Sequence, residues 1–463
     1  MQDKELLEKI AQVLQYVNSK SNNRLINYQP TTKLTEILDL NKQSTQDWAQ
    51  LFIWVQQYLD YSPNTSHIGF VNRMWSGANA PSILGEVIVA LSNTSACTFE
   101  SAPVATLMET YMLEQMLDCV GFKQGEGQMT TGSSNANMIA MMVARNQASK
   151  DTKKQGLFNQ KPLFAFVSDD AHYSLDKAAN ILGIGAEHLI KVPTTKNGEM
   201  DVLMLDKAIQ KVQKNGGIAF FVCATLGTTV RGAYDDIEQL ITLKNKHHFW
   251  LHGDGAWGGA AVMSPILKAK FLRGIEQLDS FTMDFHKMLG SSLMCNFLLL
   301  NHQNLLSCTC ADGDNSYIFR DNAVDLGANS LQCGRRVDSL KWFLDWKFYS
   351  KQGFSDRVEN YYQLAKFSED FINASSELEM VKKRSSFNVC FRFKAQEPNT
   401  FNQNLRNKLL EDEQALLALA YIEEKLVFRL LISNINMSKV KLTALLNRLI
   451  KIGKALQTDV ERN

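Results

Sequence analysis

Residues 218–259 read IAFFVCATLGTTVRGAYDDIEQLITLKNKHHFWLHGDGAWGG, and the fold class follows from them. Ile218 to Ala224 is an unbroken apolar run of strand length. Asp235 to Lys246 carries the apolar spacing of an amphipathic helix, and Phe249 to His252 is a second strand-length run. Parallel strands need a crossover of a dozen or more residues, most often a helix, so strand, helix and strand at this spacing form a βαβ unit. The expectation is an α/β protein with a mostly parallel sheet covered by helices.

On either side the alternation continues, from about Gly121 to Leu300. Leu163 to Val167 is a strand upstream, and Asp201 to Lys214 is a helix that stops at Gly216-Gly217. Phe281 to Phe285 and Cys295 to Leu300 are strands downstream. The first sixty residues read as helix, with Leu6, Leu7, Ile10, Val13, Leu14 and Val17 on one face and Trp48, Leu51, Phe52, Val55 and Leu59 on another. Past a polar stretch, Ala311 to Ser330, come helices at Val337–Tyr349 and Phe354–Ala374, strands at Asn388–Phe393 and Lys425–Ile432, and a helix at Lys439–Leu456. This gives a helical N-terminal arm (1–66) suited to dimerisation, a large domain (67–340) and a small α+β C-terminal domain (341–463). At about 150 residues per domain, 463 residues fit two to four.

Composition removes several functions. Lys plus Arg number 49 against 48 Asp plus Glu, a net charge of +1, so no basic field offers itself to nucleic acid or an anionic membrane. Hydrophobic residues at 45%, charged residues at 21% and only 8 prolines describe a globular chain. No apolar run approaches the roughly 18 residues of a membrane helix, and Met1 to Glu5 begins an amphipathic helix, so a cytoplasmic location is expected. Six of the 8 cysteines lie in apolar stretches, where a thiol acts as a small hydrophobe. Cys308-Thr309-Cys310 lacks a second Cys/His pair nearby, and no metal is expected.

In open α/β sheets ligands bind beyond the carboxyl ends of the strands. The strand ending at Val167 runs into His172, the one ending at Ala224 into Thr225, the one ending at Leu251 into His252-Gly253-Asp254-Gly255-Ala256, and the one ending near Phe285 into His286-Lys287. Upstream, Thr131-Gly132-Ser133-Ser134 precedes the apolar helix Met138–Arg145, and a Gly-Ser-Ser turn opening a helix is a good phosphate seat. A phosphate cradle, an imidazole, a carboxylate and a lysine are what a pyridoxal 5'-phosphate (PLP) site requires. Each residue also has an ordinary reading: a solvated Lys287, an Asp254 that caps a turn, a His172 at a helix start bonded to a carbonyl. Gly253 to Gly258 formally matches a dinucleotide-binding pattern, but Asp254 would face the pyrophosphate and Trp257 would crowd its approach. A His252, Asp254 and His286 metal site lacks a further ligand at a diagnostic spacing.

From about His67 onward these motifs resemble the PLP-dependent decarboxylases of the glutamate and cysteinesulfinate decarboxylase group, a branch of the aspartate aminotransferase fold (fold type I). The resemblance rests on NTSACTFESAPV (93–104), ATLGTTVRGAY (224–234), WLHGDGAWGG (250–259), His286-Lys287-Met288, LQCGRRVD (331–338) and FRLLISN (428–434). It implies a homodimer with active sites at the subunit interface, no nucleic acid or membrane partner, and α-decarboxylation of an L-amino acid, preferably small and acidic (aspartate, glutamate or cysteinesulfinate). It implies Lys287 as the Schiff-base lysine, Asp254 on the pyridine nitrogen and His172 stacked on the ring, with Ala256 on the opposite face and Thr225 close by. Gly132, Ser133, Ser134 and His286 would hold the phosphate and Arg429 a substrate carboxylate. Alternatives on the same fold are a decarboxylase for a basic or aromatic amino acid, a carbon–carbon lyase, and a retired PLP-binding dimer.

Two departures stand out. The loop from Arg320 to Ser330 is shorter than in the resembled family and lacks the Tyr that reprotonates Cα. Tyr317, just upstream, is a relocated proton donor or an aromatic anchor. In the pocket the sequence reads Phe70-Val71-Asn72-Arg73-Met74-Trp75, where Arg73 would clamp an acidic side chain and Trp75 would fill volume. Ser95 and Cys97 occupy pocket positions that vary among relatives.

Overall fold

The computed structural model describes residues 2–20, 24–41, 43, 47–311 and 324–462. Contacts group them into two compact units. One comprises residues 78–366 and 384–388, and the other residues 1–77, 367–383 and 389–463.

The strands are β1 (Phe70–Val71), β2 (Glu126–Thr130), β3 (Leu163–Ser168), β4 (Leu189–Val192), β5 (Ile218–Thr225), β6 (Trp250–Asp254), β7 (Ser280–Asp284), β8 (Asn296–Leu300), β9 (Leu378–Met380), β10 (Val389–Phe393), β11 (Leu416–Ile422) and β12 (Lys425–Leu430). The larger unit holds a seven-stranded sheet in the order β2-β8-β7-β6-β5-β3-β4. Strands β4, β3, β5, β6 and β7 run parallel, and β8 is antiparallel to both β7 and β2. The βαβ reading of residues 218–252 holds: β5 and β6 are parallel neighbours in register from Phe221↔Trp250 to Thr225↔Asp254.

Local chemistry sets the crossover helices. Asp201 caps Val202–Lys214 by accepting from the Leu203 and Met204 amides, and Asp236 caps Ile237–His247 through the Gln239 amide. The helix Ser133–Ala148 presents Ala136, Ile139, Ala140 and Val143 to a core that includes Phe221, Cys223 and Leu298. Burial on this scale stabilises by about 1.5–3 kcal/mol per large apolar side chain. It fixes the helix, and therefore its N-terminus, against the middle of the sheet.

The smaller unit carries a five-stranded sheet in the order β1-β11-β12-β10-β9, antiparallel apart from the short β1–β11 pair. The N-terminal helices Gln2–Lys20 and Trp48–Tyr61 belong to this unit and meet through Tyr16, whose hydroxyl bonds Asp60 at 2.6 Å and whose ring edges Phe52. Among the described residues no helix is long and apolar enough to cross a membrane.

Candidate active site

The parallel strands deliver their carboxyl ends to one edge, as the sheet rule requires. Two carboxylates end neighbouring strands there: Asp254 closes β6 and Asp284 closes β7. The strands run further than the apolar pattern indicates, so Gly253 and Asp254 are strand residues and the formal dinucleotide pattern does not form a loop before a helix.

Asp254 is buried and held by neutral donors. Asn137 Nδ2 donates to Oδ2 at 2.8 Å and the Ala256 amide to Oδ1 at 3.1 Å. A carboxylate cannot donate, so Asn137 turns its NH2 to Asp254 and its Oδ1 to His252 Nε2, 2.9 Å away. His252 therefore carries its hydrogen on Nε2 and accepts at Nδ1 from the Ser280 hydroxyl at 2.8 Å, which in turn accepts from Trp250 Nε1 at 2.8 Å. Burial pushes the His252 imidazole down to about 4, against the opposing charge of Asp254. Both ring nitrogens are committed to this chain, so His252 is not a metal ligand. Among the described residues no group of three or more His, Cys, Asp or Glu side chains is arranged to hold a metal ion.

Lys287 Nζ lies 2.8 Å from Asp284 Oδ2. Asp284 Oδ1 accepts from Asn296 Nδ2 at 2.7 Å and from the Ser133 amide at 3.2 Å, and it lies 3.8 Å from His286 Nδ1. Burial pushes the Asp284 carboxyl up, but Lys287 and His286 beside it and the hydrogen bonds of Lys287 and Ser133 outweigh that and hold it below the usual carboxylate range. Burial likewise lowers the His286 imidazole, with Asp284 opposing.

His172 opens the helix Ser174–Ile181. Its Nδ1 accepts from the Ser174 amide at 3.2 Å, so it is a hydrogen-bond acceptor at the helix start rather than a donor to a carbonyl. Burial lowers its pKa, while the charges of Asp254, Lys287 and Asp284 all act on it, which puts the imidazole in the same electrostatic neighbourhood as both strand ends. Thr225, in register with Asp254, buries an Oγ1 with no partner among the described residues. Asn135 Oδ1 in the first turn of the Ser133 helix is also unpartnered. Gly132 has φ +114°, a backbone conformation that L side chains rarely adopt, so this turn calls for glycine. Ser133 is buried, Ser134 is exposed and Ala256 is half-buried.

Ser95 and Cys97 lie against the LQCGR stretch. Ser95 Oγ accepts from the Arg335 amide at 3.1 Å, and Cys97 Sγ is 3.8 Å from Cys333 Sγ. Burial and the neighbouring Cys333 push the Cys97 thiol up to about 11. Arg335 continues to Glu109, whose Oε1 also accepts from the Met129 amide of β2 at 3.0 Å. In the smaller unit, Arg429 is buried on β12 and donates to the Asn72 carbonyl at 3.3 Å, with its pKa lowered by burial and by the nearby Arg73 charge. Arg73 is exposed, and the Trp75 ring packs at 5.5 Å from Phe70. Tyr317 falls outside the described residues. Sequence reasoning missed Asn137, Asp284 and Asn296. Of these, only Asp284 carried a signal, an acid at a strand end three residues before the candidate lysine.

An orphaned hydroxyl at Thr225, a positive-φ glycine at the helix start, a carboxylate held by neutral donors and a strand-end lysine fit a PLP site. The fold and these groups define the class, a fold type I PLP protein. Residues 31–394 match the pyridoxal-dependent decarboxylase conserved domain, and the chain belongs to that family. Its cofactor is PLP. The acidic amino acid decarboxylase GADL1 of Mus musculus is 34% identical over 376 residues, 80% of this chain and 68% of that protein. The cysteine sulfinic acid decarboxylase of Homo sapiens is 35% identical over 367 residues, 78% of this chain and 74% of that protein. The crystal structure of mouse CSAD in apo form superposes with a TM-score of 0.92 at 30% identity, covering 97% of this chain and 99% of that one.

Proposed function

We propose that this protein is a homodimeric, PLP-dependent α-decarboxylase of a small acidic L-amino acid such as aspartate, glutamate or cysteinesulfinate. The observation that carries the substrate class is the identity, over most of both chains, to decarboxylases named for acidic amino acids and for cysteinesulfinate.

When bound, PLP supplies the electron sink that takes up the pair released as the Cα–CO₂⁻ bond breaks. In this reading Lys287 holds the cofactor covalently. Asp254, oriented by Asn137 and the Ala256 amide, keeps the proton on the ring nitrogen. Thr225 Oγ1 supplies a hydrogen bond for which it has no partner among the described residues. Gly132, Ser133, Ser134 and His286 serve the phosphate, and Ala256 and His172 flank the ring. Burial lowers the pKa of His172, and its Nδ1 accepts from the Ser174 amide, so Nε2 is the ring atom assigned to exchanging the proton that ends on Cα. Arg429 and Arg73 are assigned to substrate carboxylates for the planar fork of the guanidinium, with Trp75, Ser95 and Cys97 shaping the pocket. Tyr317 remains assigned as a candidate proton donor.

Dimerisation, part of the same proposal, is supported by the apolar surface of the helix Ala80–Ser92, where Ile83, Leu84, Val87, Ile88 and Leu91 are all exposed. The division into arm, large domain and small domain, with the arm serving the dimer, belongs to it too. So does a cytoplasmic location, in keeping with eight cysteines outside any disulfide.

The test is a panel of amino acids offered to the PLP-loaded protein, read by CO₂ release and product mass spectrometry. Release of CO₂ with the matching amine from an acidic substrate is the expected result. An aldehyde without CO₂ would mean a lyase, turnover confined to basic or aromatic substrates would overturn the substrate class, and a silent panel with cofactor bound would mean a retired homologue.

A further inference from the structure

The groups assigned to the cofactor's phosphate are not vacant in the chain itself. The Ser133 amide, first in its helix and therefore at the positive end of the dipole, donates to Asp284 Oδ1 at 3.2 Å. The same oxygen lies 3.8 Å from His286 Nδ1, and the other carboxylate oxygen is 2.8 Å from Lys287 Nζ. One buried carboxylate thus bonds an amide and an ammonium of the proposed PLP set and lies beside its imidazole, whose Nδ1 is within hydrogen-bond distance of the Cys295 backbone at 2.9 Å. Its place is held from behind by Asn296, whose Nδ2 donates to Asp284 at 2.7 Å and whose Oδ1 accepts from the Thr130 hydroxyl.

We infer that Asp284 is a resident anion in the phosphate seat, so that loading of the cofactor requires the phosphate to take the Ser133 amide from this carboxylate. The inference rests on the PLP reading of the site and deepens it. A phosphate dianion and a carboxylate sharing one amide and one helix terminus repel, and in a buried site that repulsion is poorly screened. The position that a neutral amide would fill without conflict is filled by an acid. Asp284 stays charged because Lys287 is beside it, and Lys287 is the residue the cofactor must engage. Phosphate entry and release of the lysine from Asp284 are therefore one coupled event. The contribution of the phosphate to cofactor affinity should accordingly be small in this protein, and the chain should be isolated largely free of cofactor unless PLP is supplied.

The experiment compares PLP with pyridoxal, which lacks the phosphate, as ligands of the wild-type chain and of Asp284→Asn, with dissociation constants read from the absorbance of the bound cofactor. The ratio of the pyridoxal constant to the PLP constant isolates the phosphate, because both ligands use Lys287 alike. The ratio should rise about tenfold or more in Asp284→Asn. An unchanged or smaller ratio would overturn the inference and leave Asp284 a tether for Lys287. If Asp284→Asn does not fold, as judged by circular dichroism and melting, Asp284→Ser carries the same comparison. Absence of binding of either ligand to either protein would overturn the cofactor's assignment to this site, and the inference with it.

Discussion

The ends of β6 and β7 invite comparison, since each neighbouring parallel strand finishes on an aspartate buried at the same sheet edge. Asp254 receives its hydrogen bonds from an amide side chain and a backbone N–H, both neutral, so its charge stays available for a cation that arrives later. Asp284 is already paired with Lys287. Partners, rather than residue type or location, separate the acid that the proposed function assigns to the cofactor ring from the one that the chain pairs with its own lysine.

The largest effect should come from removing the lysine that Asp284 neutralises. Lys287→Ala should purify without a borohydride-reducible cofactor linkage and with no measurable decarboxylation, and a normal reducible chromophore would end the central assignment. The same variant leaves a buried carboxylate unpaired, at a cost of about 3 kcal/mol in the apo protein. Lys287→Ala/Asp284→Asn should recover most of that loss in denaturant melts, and failure to recover it would mean that the pair is not what stabilises this strand end. Asp254→Ala comes next. It should keep the covalent cofactor while losing activity by about 10²-fold or more, since the ring nitrogen then has no acid partner. Equal effects of Asp254→Ala and Lys287→Ala on cofactor retention would erase the distinction between the two strand ends.

A third difference lies behind Asp254, where the chain through Asn137 ends on a buried neutral imidazole. His252 falls from 6.5 to about 4 in the folded state. Its contribution to stability is therefore complete above pH 6.5 and shrinks as pH falls toward 4, because the unfolded chain takes up the proton first. Between pH 7 and pH 5 the loss from this group is about 2 kcal/mol. His252→Gln should show a shallower decline in denaturant midpoint over that interval. A variant that tracks the wild type would mean that His252 titrates normally.

Much of this was legible in the sequence. The βαβ unit at 218–252 and the strand-end positions of Asp254 and Lys287 follow from apolar runs and turn chemistry, because a buried parallel strand has to be apolar until it reaches its ligand edge. What escaped was geometry between distant residues. Asn137 sits 117 positions from Asp254 on a helix whose pattern announces only a core face. The role proposed for Asp284 rests on a hydrogen bond from the Ser133 amide, 151 positions away. Strand β11, LLALAYI, escaped for a different reason. Leu and Ala favour a helix, and pairing with β12 and β1 overrides that preference.

The smallest effect expected is the one that most finely separates the two strand ends. Asn137→Ala removes a donor from Asp254 and an acceptor from His252 Nε2, but it touches no group around Asp284. A hydrogen bond to a charged group is worth about 1.5–3 kcal/mol, part of which water entering the gap restores, so activity should fall about tenfold. A purely structural role would lower stability alone. A positioning role also moves the pH at which the absorbance of the bound cofactor changes, because a less well held carboxylate gives up its grip on the ring proton at lower pH. Lys287 linkage and the PLP-to-pyridoxal affinity ratio should stay at wild-type values, since both belong to the Asp284 end. If that ratio moves with Asn137→Ala, the two strand ends form one coupled network rather than two separately partnered acids.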